Sequence, residues 1–271
     1  MSCMAVVALR TLPMLVCLAS IPQVWAQFDA FEVATIKAAN PQDERAGRYI
    51  RMQSAHIFQA KNYTVRNMIA AAYDLNPRAI SGEAGWIDNQ AWDIVAKTPG
   101  DQRPTWYDQM AMLQKLLAER FNLNFHREKR QFNIYELTAS KEGFRLKATD
   151  APADEAPNMT SVVYPASSGG IDRIELPAHN ITMGQFAGLL GRAILDRPVV
   201  DSTGLSGRYD FKLEWTPDGS EFGGRLPAGP PDNPLPGLFT AIEQKLGLKI
   251  VARRGAVDAI IIDRVDKPTD N

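Results

Sequence analysis

Residues 180–215 read NITMGQFAGLLGRAILDRPVVDSTGLSGRYDFKLEW, and residues 62–99 read NYTVRNMIAAAYDLNPRAISGEAGWIDNQAWDIVAKTP. Both stretches open with Asn-x-Thr before an apolar residue. Both reach a segment in which an aromatic residue, an aspartate and an apolar residue follow one another, at Trp92-Asp93-Ile94 and Tyr209-Asp210-Phe211. Sequence features that recur in the same order predict two related structural units.

A short amphipathic helix follows Thr64 in the first copy and Thr182 in the second. A threonine hydroxyl at this position accepts a hydrogen bond from an amide of the first helical turn, and Gln185 completes a capping box with Thr182. Apolar residues then recur at i, i+3, i+4 and i+7, which is the spacing of one buried helix face. They are Val65, Met68, Ile69 and Ala72 in the first copy, and Met183, Phe186, Ala187 and Leu190 in the second.

A second helix and two further strands complete each copy, and the copies stay in register, as between Leu113 and Leu238. The strands predict a β-hairpin in each copy, and Gly247 has the position of a helix C-cap. The predicted hairpin arms are Leu123–His126 with Phe132–Thr138, and Leu248–Val251 with Val257–Asp263. The connection before the second helix is short in the first copy. In the second copy it is the Pro-rich segment 216–237, which predicts an extended, poorly ordered loop.

These patterns together predict an α+β fold built by tandem duplication of a β-α-β-β-α-β-β unit. We expect a shared structural motif of core aromatics, an aspartate and turn glycines, consisting of Trp92, Asp93, Gly204, Gly207 and Tyr209. The predicted boundaries are a first unit over 27–146, a linker over 147–173, a second unit over 174–265 and a polar tail over 266–271.

The N-terminal segment predicts an exported protein, periplasmic or extracellular. Residues 1–26 carry one basic residue, a mostly apolar run and a Val-Trp-Ala end, which is typical of a cleaved signal peptide. Both cysteines, Cys3 and Cys17, fall inside it, so disulfides and Cys-based metal sites are not expected in the mature chain. The remainder has no other apolar run long enough to span a membrane. The formal charge of −1 gives no basic footprint for nucleic acid.

Three carboxylates lie close together in the sequence: Asp201, Asp210 and Glu214. Paired carboxylates can perform acid–base chemistry, so this cluster is the candidate site of an envelope hydrolase. Asp210 recurs as Asp93 in the other copy, however. A residue repeated in both copies is more simply explained by the fold, through a hydrogen bond to a neighbouring turn.

Other catalytic or cofactor motifs are absent from the sequence. There is no Gly-x-Ser-x-Gly nucleophile elbow, no His-Glu-x-x-His and no phosphate-binding glycine-rich loop. The three histidines, His56, His126 and His179, are far apart and have no second ligand at metal-site spacing. The sequence therefore predicts no metal and no cofactor, and favours a protein that is not an enzyme.

The predicted hairpin tips are rich in cations. Arg127 and Arg130 lie at the first tip, together with Lys129, and Arg253 and Arg254 lie at the second. Such groups could bind anionic envelope polymers or lipid head groups. The alternative is that they are ordinary solvated turn residues, because exposed sheet edges and tips are commonly charged.

Several segments together resemble a large paralogous family of exported proteins of unknown function, first noted in Solibacter-type soil Acidobacteria. The segments are FEVATIK at 31–37, LLAERF at 116–121, RPVVDSTGL at 197–205 and GRYDF at 207–211. Some members of that family are fused behind membrane metallopeptidase modules, but this chain lacks the peptidase motif. The resemblance implies no catalytic residues.

The layout of residues 180–262 also resembles the short N-terminal domain of secretins and TonB-dependent receptors, which is a periplasmic docking module. Fold likeness alone does not fix function. We therefore expect an exported, non-catalytic binding or interaction module of the bacterial envelope. Its expected partner is an envelope protein or a cell-wall polymer. The alternatives are an envelope hydrolase and an anionic-polymer-binding domain.

Overall fold

A computed structural model describes residues 28–40, 47–82, 85–152, 154–167 and 169–268. The predicted signal peptide, residues 1–26, lies outside this part of the chain. The described residues form a mixed α+β fold with 13 strands and six α-helices. None of these helices is long and apolar enough to cross a membrane.

The six helices are α1 Val65–Ala72, α2 Trp86–Asn89, α3 Trp106–Arg120, α4 Met183–Leu189, the short turn α5 Glu221–Gly224 and α6 Leu238–Leu246. Four of them, α1, α3, α4 and α6, lie where the sequence predicts helices, whereas α2 and α5 were not predicted. A 3₁₀ turn, Pro77–Ala79, follows α1, and a π-helical segment, Leu190–Ile194, continues α4. The predicted caps are confirmed, since Thr64 accepts from the Asn67 amide and Thr182 and Gln185 bond reciprocally.

The strands form three sheets. In chain order they are β1 Val33–Ala38, β2 Tyr49–Met52, β3 Ile57–Thr64, β4 Ile80–Ser81, β5 Ala91–Lys97, β6 Asn124–Ala139, β7 Lys147–Ala148, β8 Asn158–Met159, β9 Val162–Pro165, β10 Ile171–Ile181, β11 Val199–Asp201, β12 Tyr209–Trp215 and β13 Leu248–Arg264. We call residues before Lys147 the first half and residues from Lys147 onward the second half.

Each half has an antiparallel sheet of its own. The first has the order β1-β5-β3-β2, and the second has the order β7-β12-β10-β8, with β9 also pairing with β10. The stretch 147–173, predicted as a linker, therefore also supplies strands to the second sheet. Its β7 pairs with β12, and its β8 and β9 pair with β10.

The third sheet joins the two halves. It also shows that the two predicted hairpins are wrong. Its order is β11-β6-β13-β4. Strands β6 and β13 do not fold back on themselves; each is continuous, and they pair with each other from Asn124–Arg264 to Ala139–Leu248. Gln131 lies opposite Ala256 at the place where both hairpin turns were predicted. We call this the central sheet.

Local sequence explains why neither strand turns there. The segment Arg127–Gln131 contains none of the Gly, Asn or Pro residues that a tight turn favours. Gly255 in the second strand does not adopt a left-handed φ. A side-chain carbon at Gly255 would meet the side chain of Ile134, so this glycine permits close cross-strand packing.

Two hydrophobic cores lie against the central sheet, and the predicted helix faces are buried in them. The first core includes α1 and α3 residues together with Ile260 and Ile262 of β13. The second includes α4 and α6 residues together with Leu137 of β6. Each core therefore uses a strand from the other half.

The Pro-rich segment 216–237 was predicted to be poorly ordered, and the structure corrects this. Phe222 and Leu226 pack against the second core. The Thr216 amide donates to the Pro236 carbonyl at 3.0 Å, and Gly229 donates to Pro217 at 2.8 Å. Glu221 is 3% exposed and its carboxylate accepts from the Asp218 amide. These contacts arise from tertiary packing, so the high proline content of the segment did not predict them.

Candidate functional site

The repeated aspartate holds a β-bulge in each half. In the first sheet, Lys61 and Asn62 together oppose Asp93, and Asn62 has a left-handed φ of 57°. The Asn62 amide donates to Asp93 Oδ1 at 2.8 Å. In the second sheet the Asn180 amide donates to Asp210 Oδ1, also at 2.8 Å. Asn tolerates left-handed backbone better than most residues, so Asn-x-Thr encodes a bulge followed by a helix cap.

The other two carboxylates of the sequence cluster lie elsewhere. Asp201 ends β11 in the central sheet, where its Oδ1 accepts from the Thr203 amide at 3.0 Å and the Thr203 hydroxyl at 2.7 Å. Glu214 lies on β12, 3.4 Å from Lys212 Nζ and 3.7 Å from Arg173 Nε. Asp201 thus accepts hydrogen bonds within a turn, whereas Asp210 accepts one at a bulge. The three carboxylates do not converge on one cavity.

The second bulge carries a histidine that contacts two acids. His179 lies 2.9 Å from Glu155 and 3.0 Å from Asp210. Hydrogen bonding to Glu155, followed by the charge of Asp210, raises the pKa of His179 above its usual value. The Asn180 amide is the main group that lowers the pKa of Asp210. Asp210 is therefore an ionised structural acceptor at neutral pH, which is unsuitable for a general acid.

The remaining structural-motif residues, Trp92, Gly204, Gly207 and Tyr209, have structural surroundings. Trp92 and Tyr209 are both buried, at 3% and 8% exposure. Gly204 has a left-handed φ of 73° in the turn before β12. A side-chain carbon at Gly207 would lie 2.8 Å from the Tyr209 hydroxyl, so only glycine leaves room for that ring.

The cations predicted at hairpin tips lie in the middle of the central sheet. Arg130 Nε donates to Glu128 at 2.8 Å, and Arg253 Nε lies 3.5 Å from Glu136. The Arg127 guanidinium lies over the Tyr73 ring at 5.7 Å, and Arg254 lies opposite Asn133. Because no hairpin forms, these residues do not project from a tip, and several are neutralised by adjacent acids.

The histidines have separate surroundings. His126 contacts Asp263 at 2.8 Å and Glu128 at 3.1 Å, and these bonds raise its pKa. The His56 amide bonds to the Ser54 hydroxyl. Within the described ranges, no group of three or more His, Cys, Asp or Glu side chains is arranged to hold a metal ion.

Two loops meet where the halves touch, and we call this contact the junction. Loop 73–79 follows α1, and loop 190–198 contains the π-helical segment. Arg192 Nε donates to Asp74 at 2.8 Å, and Arg78 lies 3.3 Å from Asp196. The side-chain amide of the buried Asn76 donates through Nδ2 to the Gly191 carbonyl at 2.5 Å. Gly191 has no room for a side chain, since a Cβ would lie 2.7 Å from the Val199 nitrogen.

A cavity of about 150 Å³ lies at the junction, with Asp74, Arg192 and Asp258 among its lining residues. A second, of about 200 Å³, lies between β1 and α3. Pockets that enclose a small-molecule ligand are usually about 300–1,000 Å³. The polar groups at the junction bond across it: Arg192 stacks on Trp106 at 5.2 Å, besides its bond to Asp74. The junction therefore fastens the two halves together.

Two further arginines, one in each half, have a lowered pKa. Arg48 precedes β2 in the first half, and its guanidinium lies over the Tyr63 ring at 5.0 Å. Arg225 follows α5 in the second half. Partial burial, and then the charge of Arg48, lower the pKa of Arg225 to about 10. Burial also lowers the pKa of Arg48.

Sequence reasoning missed the junction. Asp74 and Arg192 are separated by more than a hundred residues. Because these groups meet only when the two halves pack together, no local sequence motif predicts their contact. The weak signal in the sequence is that Asp74 lies just after the predicted first helix, where a charged residue can reach a neighbouring element.

The described residues form a mixed α+β fold whose polar groups serve bulges, helix caps and the contact between the halves. A sequence model of the family described as Protein of unknown function (DUF3738) matches residues 66–265. The chain belongs to this family. Comparisons with curated proteins and with solved structures found no match.

Proposed function

We propose that this chain is an exported, non-catalytic binding or interaction module of the bacterial cell envelope. The observation that carries the non-catalytic part is the separation of the three candidate carboxylates. Asp210 holds a bulge, Asp201 caps a turn, and Glu214 lies in a surface ionic network. The predicted signal peptide supports export, and the resemblance to exported Acidobacteria-type proteins points to the envelope.

We further propose that the fold arose by tandem duplication of one unit. The two bulges, the two capped helices and the symmetric order of the central sheet support this origin. The likeness of the second unit to the secretin and TonB-receptor docking domain supports an interaction role. A two-unit module with a shared sheet presents a broad, rigid surface, as protein–protein recognition requires.

The envelope hydrolase is the alternative, and one experiment separates it from the proposal. Tagged residues 27–271 are incubated with native envelope, beside a matched variant carrying Asp201→Asn, Asp210→Asn and Glu214→Gln. Asn at 210 keeps an acceptor for the Asn180 amide, so the bulge remains. Captured material is identified after cross-linking, and soluble products are measured.

The expected result is capture of the same envelope component by both proteins, with no release of soluble fragments. Release of envelope fragments by the wild-type chain but not by the variant would establish the hydrolase instead. A mature N-terminus at Gln27, found by mass spectrometry of the exported protein, checks the export step separately.

A further inference from the structure

Strand β6 is paired along its whole length on one side and along only a short stretch on the other. On the first side it pairs with β13 from Asn124 to Ala139. On the other side, within the part of the chain that the structure describes, only β11 pairs with it, opposite residues 135–137. Residues 125–133 therefore have no strand partner on that side among the described residues, and we call this side of the stretch the open edge.

The same stretch is exposed on both of its faces. Residues 126–131 are six consecutive exposed residues, although side chains of a strand that covers a core alternate between buried and exposed. None of the six belongs to either hydrophobic core. The described residues therefore leave the open edge accessible to another chain.

Hydrogen bonds at the end of the open edge show which peptide groups face outward. The Tyr135 amide donates to the Pro198 carbonyl, and the Leu137 carbonyl accepts from the Ser202 amide, both at 2.9 Å. Peptide groups of alternate residues point to the same side of an antiparallel strand. Those of the odd-numbered residues from 127 to 133 therefore point to the open edge, whereas those of the residues between them point to β13.

A row of outward-pointing peptide groups is a template for the addition of another strand. In such complexes the main-chain hydrogen bonds supply affinity, and the alternate side chains of the added strand supply specificity. Strand β11 occupies this side of β6 over only three residues, Val199–Asp201. An added strand would continue the central sheet beside the stretch of β6 that β11 leaves uncovered.

Two cations on one face of the open edge indicate the chemistry of the partner. Arg127 and Lys129 are two residues apart, so their side chains lie on the same face. Lys129 Nζ lies 3.6 Å from Asp258, and the Arg127 guanidinium lies over the Tyr73 ring. Side chains directly opposite each other on paired strands interact, and like charges there are destabilising. A second copy of β6 paired antiparallel at this point would set cations against cations, whereas an acidic strand would set carboxylates against them.

We propose that the open edge of β6 binds an extended acidic segment of a partner protein by strand addition, with carboxylates at alternate positions facing Arg127 and Lys129. The site deepens the interaction role proposed above and rests on it for the identity of the natural partner. Envelope capture that persists in a variant with a blocked edge would reject this site and leave the interaction role standing. Edge-binding peptides in the absence of an envelope partner would do the reverse.

The first experiment selects peptides of about ten residues, long enough to span the open edge, from a random display library on residues 27–271. The selected peptides should carry Asp or Glu at alternate positions. Gln131→Pro removes an N–H that points to the open edge and takes no part in the β13 ladder, so it should weaken their binding by about tenfold or more and change the thermal midpoint little. Gln131→Ala is the matched control: it keeps the N–H and should bind as the wild type does.

The second experiment reverses the charge and leaves the backbone edge intact. A variant with Arg127→Glu and Lys129→Glu should bind the acidic peptides about tenfold or more weakly, because like charges then lie opposite each other. A new selection on this variant should enrich Lys or Arg at the same alternate positions. The retained thermal midpoint checks that the variant is folded.

The third measurement is amide hydrogen exchange, resolved by residue with NMR. In the free protein the amides of Arg127 and Lys129 should exchange faster than those of Glu128 and Arg130, which face β13. A bound acidic peptide should slow exchange at the first two positions and leave the second two unchanged.

Three results would overturn the proposal. The first is equal protection of alternate amides in the free protein, because the open edge would then already be paired. The second is a selection that enriches no peptide, enriches peptides without alternate acids, or enriches peptides that bind Gln131→Pro as well as the wild type. The third is a dimer of residues 27–271 that dissociates on Gln131→Pro, because a second copy would then occupy the edge.

Discussion

The two bulges are built alike at two positions and differ at a third. Asn62 and Asn180 both take left-handed φ angles, and Asp93 and Asp210 both accept from the asparagine amide at 2.8 Å. The residue before the asparagine differs. It is Lys61 in the first half, 3.9 Å from Asp93, and His179 in the second, 3.0 Å from Asp210. The positions that fix the backbone are thus the same in both halves, while the preceding residue, half-buried as Lys61 and exposed as His179, differs.

The largest expected effect concerns the dependence of the halves on each other. Strands β6 and β13 find their long partners only across the halves, and each core borrows from the other half. We therefore expect neither 27–146 nor 147–271 alone to show a cooperative thermal transition. Mixing the two fragments should restore the far-UV circular dichroism and the transition of the intact chain.

A cooperative thermal transition in either isolated fragment would contradict this expectation. That would mean β6 or β13 can bend at Gln131 or Ala256 and form the hairpin within its own half. A Gln131→Gly plus Lys129→Asn variant, which supplies turn-favouring residues, is the matched probe. If β6 prefers to pair with β13, these two substitutions should not increase the stability of fragment 27–146.

The next effect compares the two aromatic anchors. Trp92 packs edge-on against Phe121 at 5.8 Å and against Trp86 at 6.5 Å, and Tyr209 packs edge-on against Phe144 at 6.5 Å. Trp92→Ala and Tyr209→Ala should each lower the free energy of unfolding by about 3 kcal/mol, because each empties a buried site. Urea denaturation measures both. A loss below about 1 kcal/mol at either site, typical of an ordinary substitution, would show that the two are not equivalent anchors.

The bulge aspartates should have the third-largest effect. Asp93→Ala and Asp210→Ala leave the left-handed asparagine amide without its acceptor, which costs about 1–3 kcal/mol for a group withdrawn from water. Asp→Asn at either position keeps a neutral acceptor and should recover most of the loss in chemical denaturation. If Ala and Asn variants are equally destabilised, charge and not the hydrogen bond supports the bulge.

Sequence reasoning recovered the local elements because their causes are local. Thr64 and Thr182 cap their helices, and spacing alone identified the apolar faces of α1 and α4. The same reasoning wrongly placed Phe132 and Val257 in the second arms of two hairpins. The alternating pattern of a strand does not specify which strand it pairs with. The missing turn residues at Arg127–Gln131 were the signal against a hairpin.

The candidate site was less predictable for a physical reason. The repeated pattern correctly singled out Asp93 and Asp210. A residue repeated in both halves, however, indicates a structural role and not a functional site. The junction joins Arg192 to Asp74 and Asn76 to Gly191, and the members of each pair are more than a hundred residues apart in the chain. These contacts depend on how the two halves pack against each other. Charge placement that depends on packing between halves has no periodic sequence signature.

The smallest expected effect is the pH response of the second bulge. The contacts with Glu155 and Asp210 raise the pKa of His179 in the folded state. Protonation is therefore stabilising: the contribution is complete below the unfolded pKa, near 6.5, and is lost as pH rises through the higher folded pKa. The first bulge should show no such step, because a lysine keeps its charge throughout this range.

Swapping the two residues tests this directly. His179→Lys should flatten the difference in thermal midpoint between about pH 5 and pH 8, and Lys61→His should add only a weaker step, since the contact to Asp93 is longer. His126 also titrates, held by Glu128 and Asp263, so each variant is compared with the wild type at every pH. An unchanged slope in His179→Lys would assign the pH response to His126. A slope halved but not removed would show that both acid-bound histidines contribute, with the bulge one of two sensors.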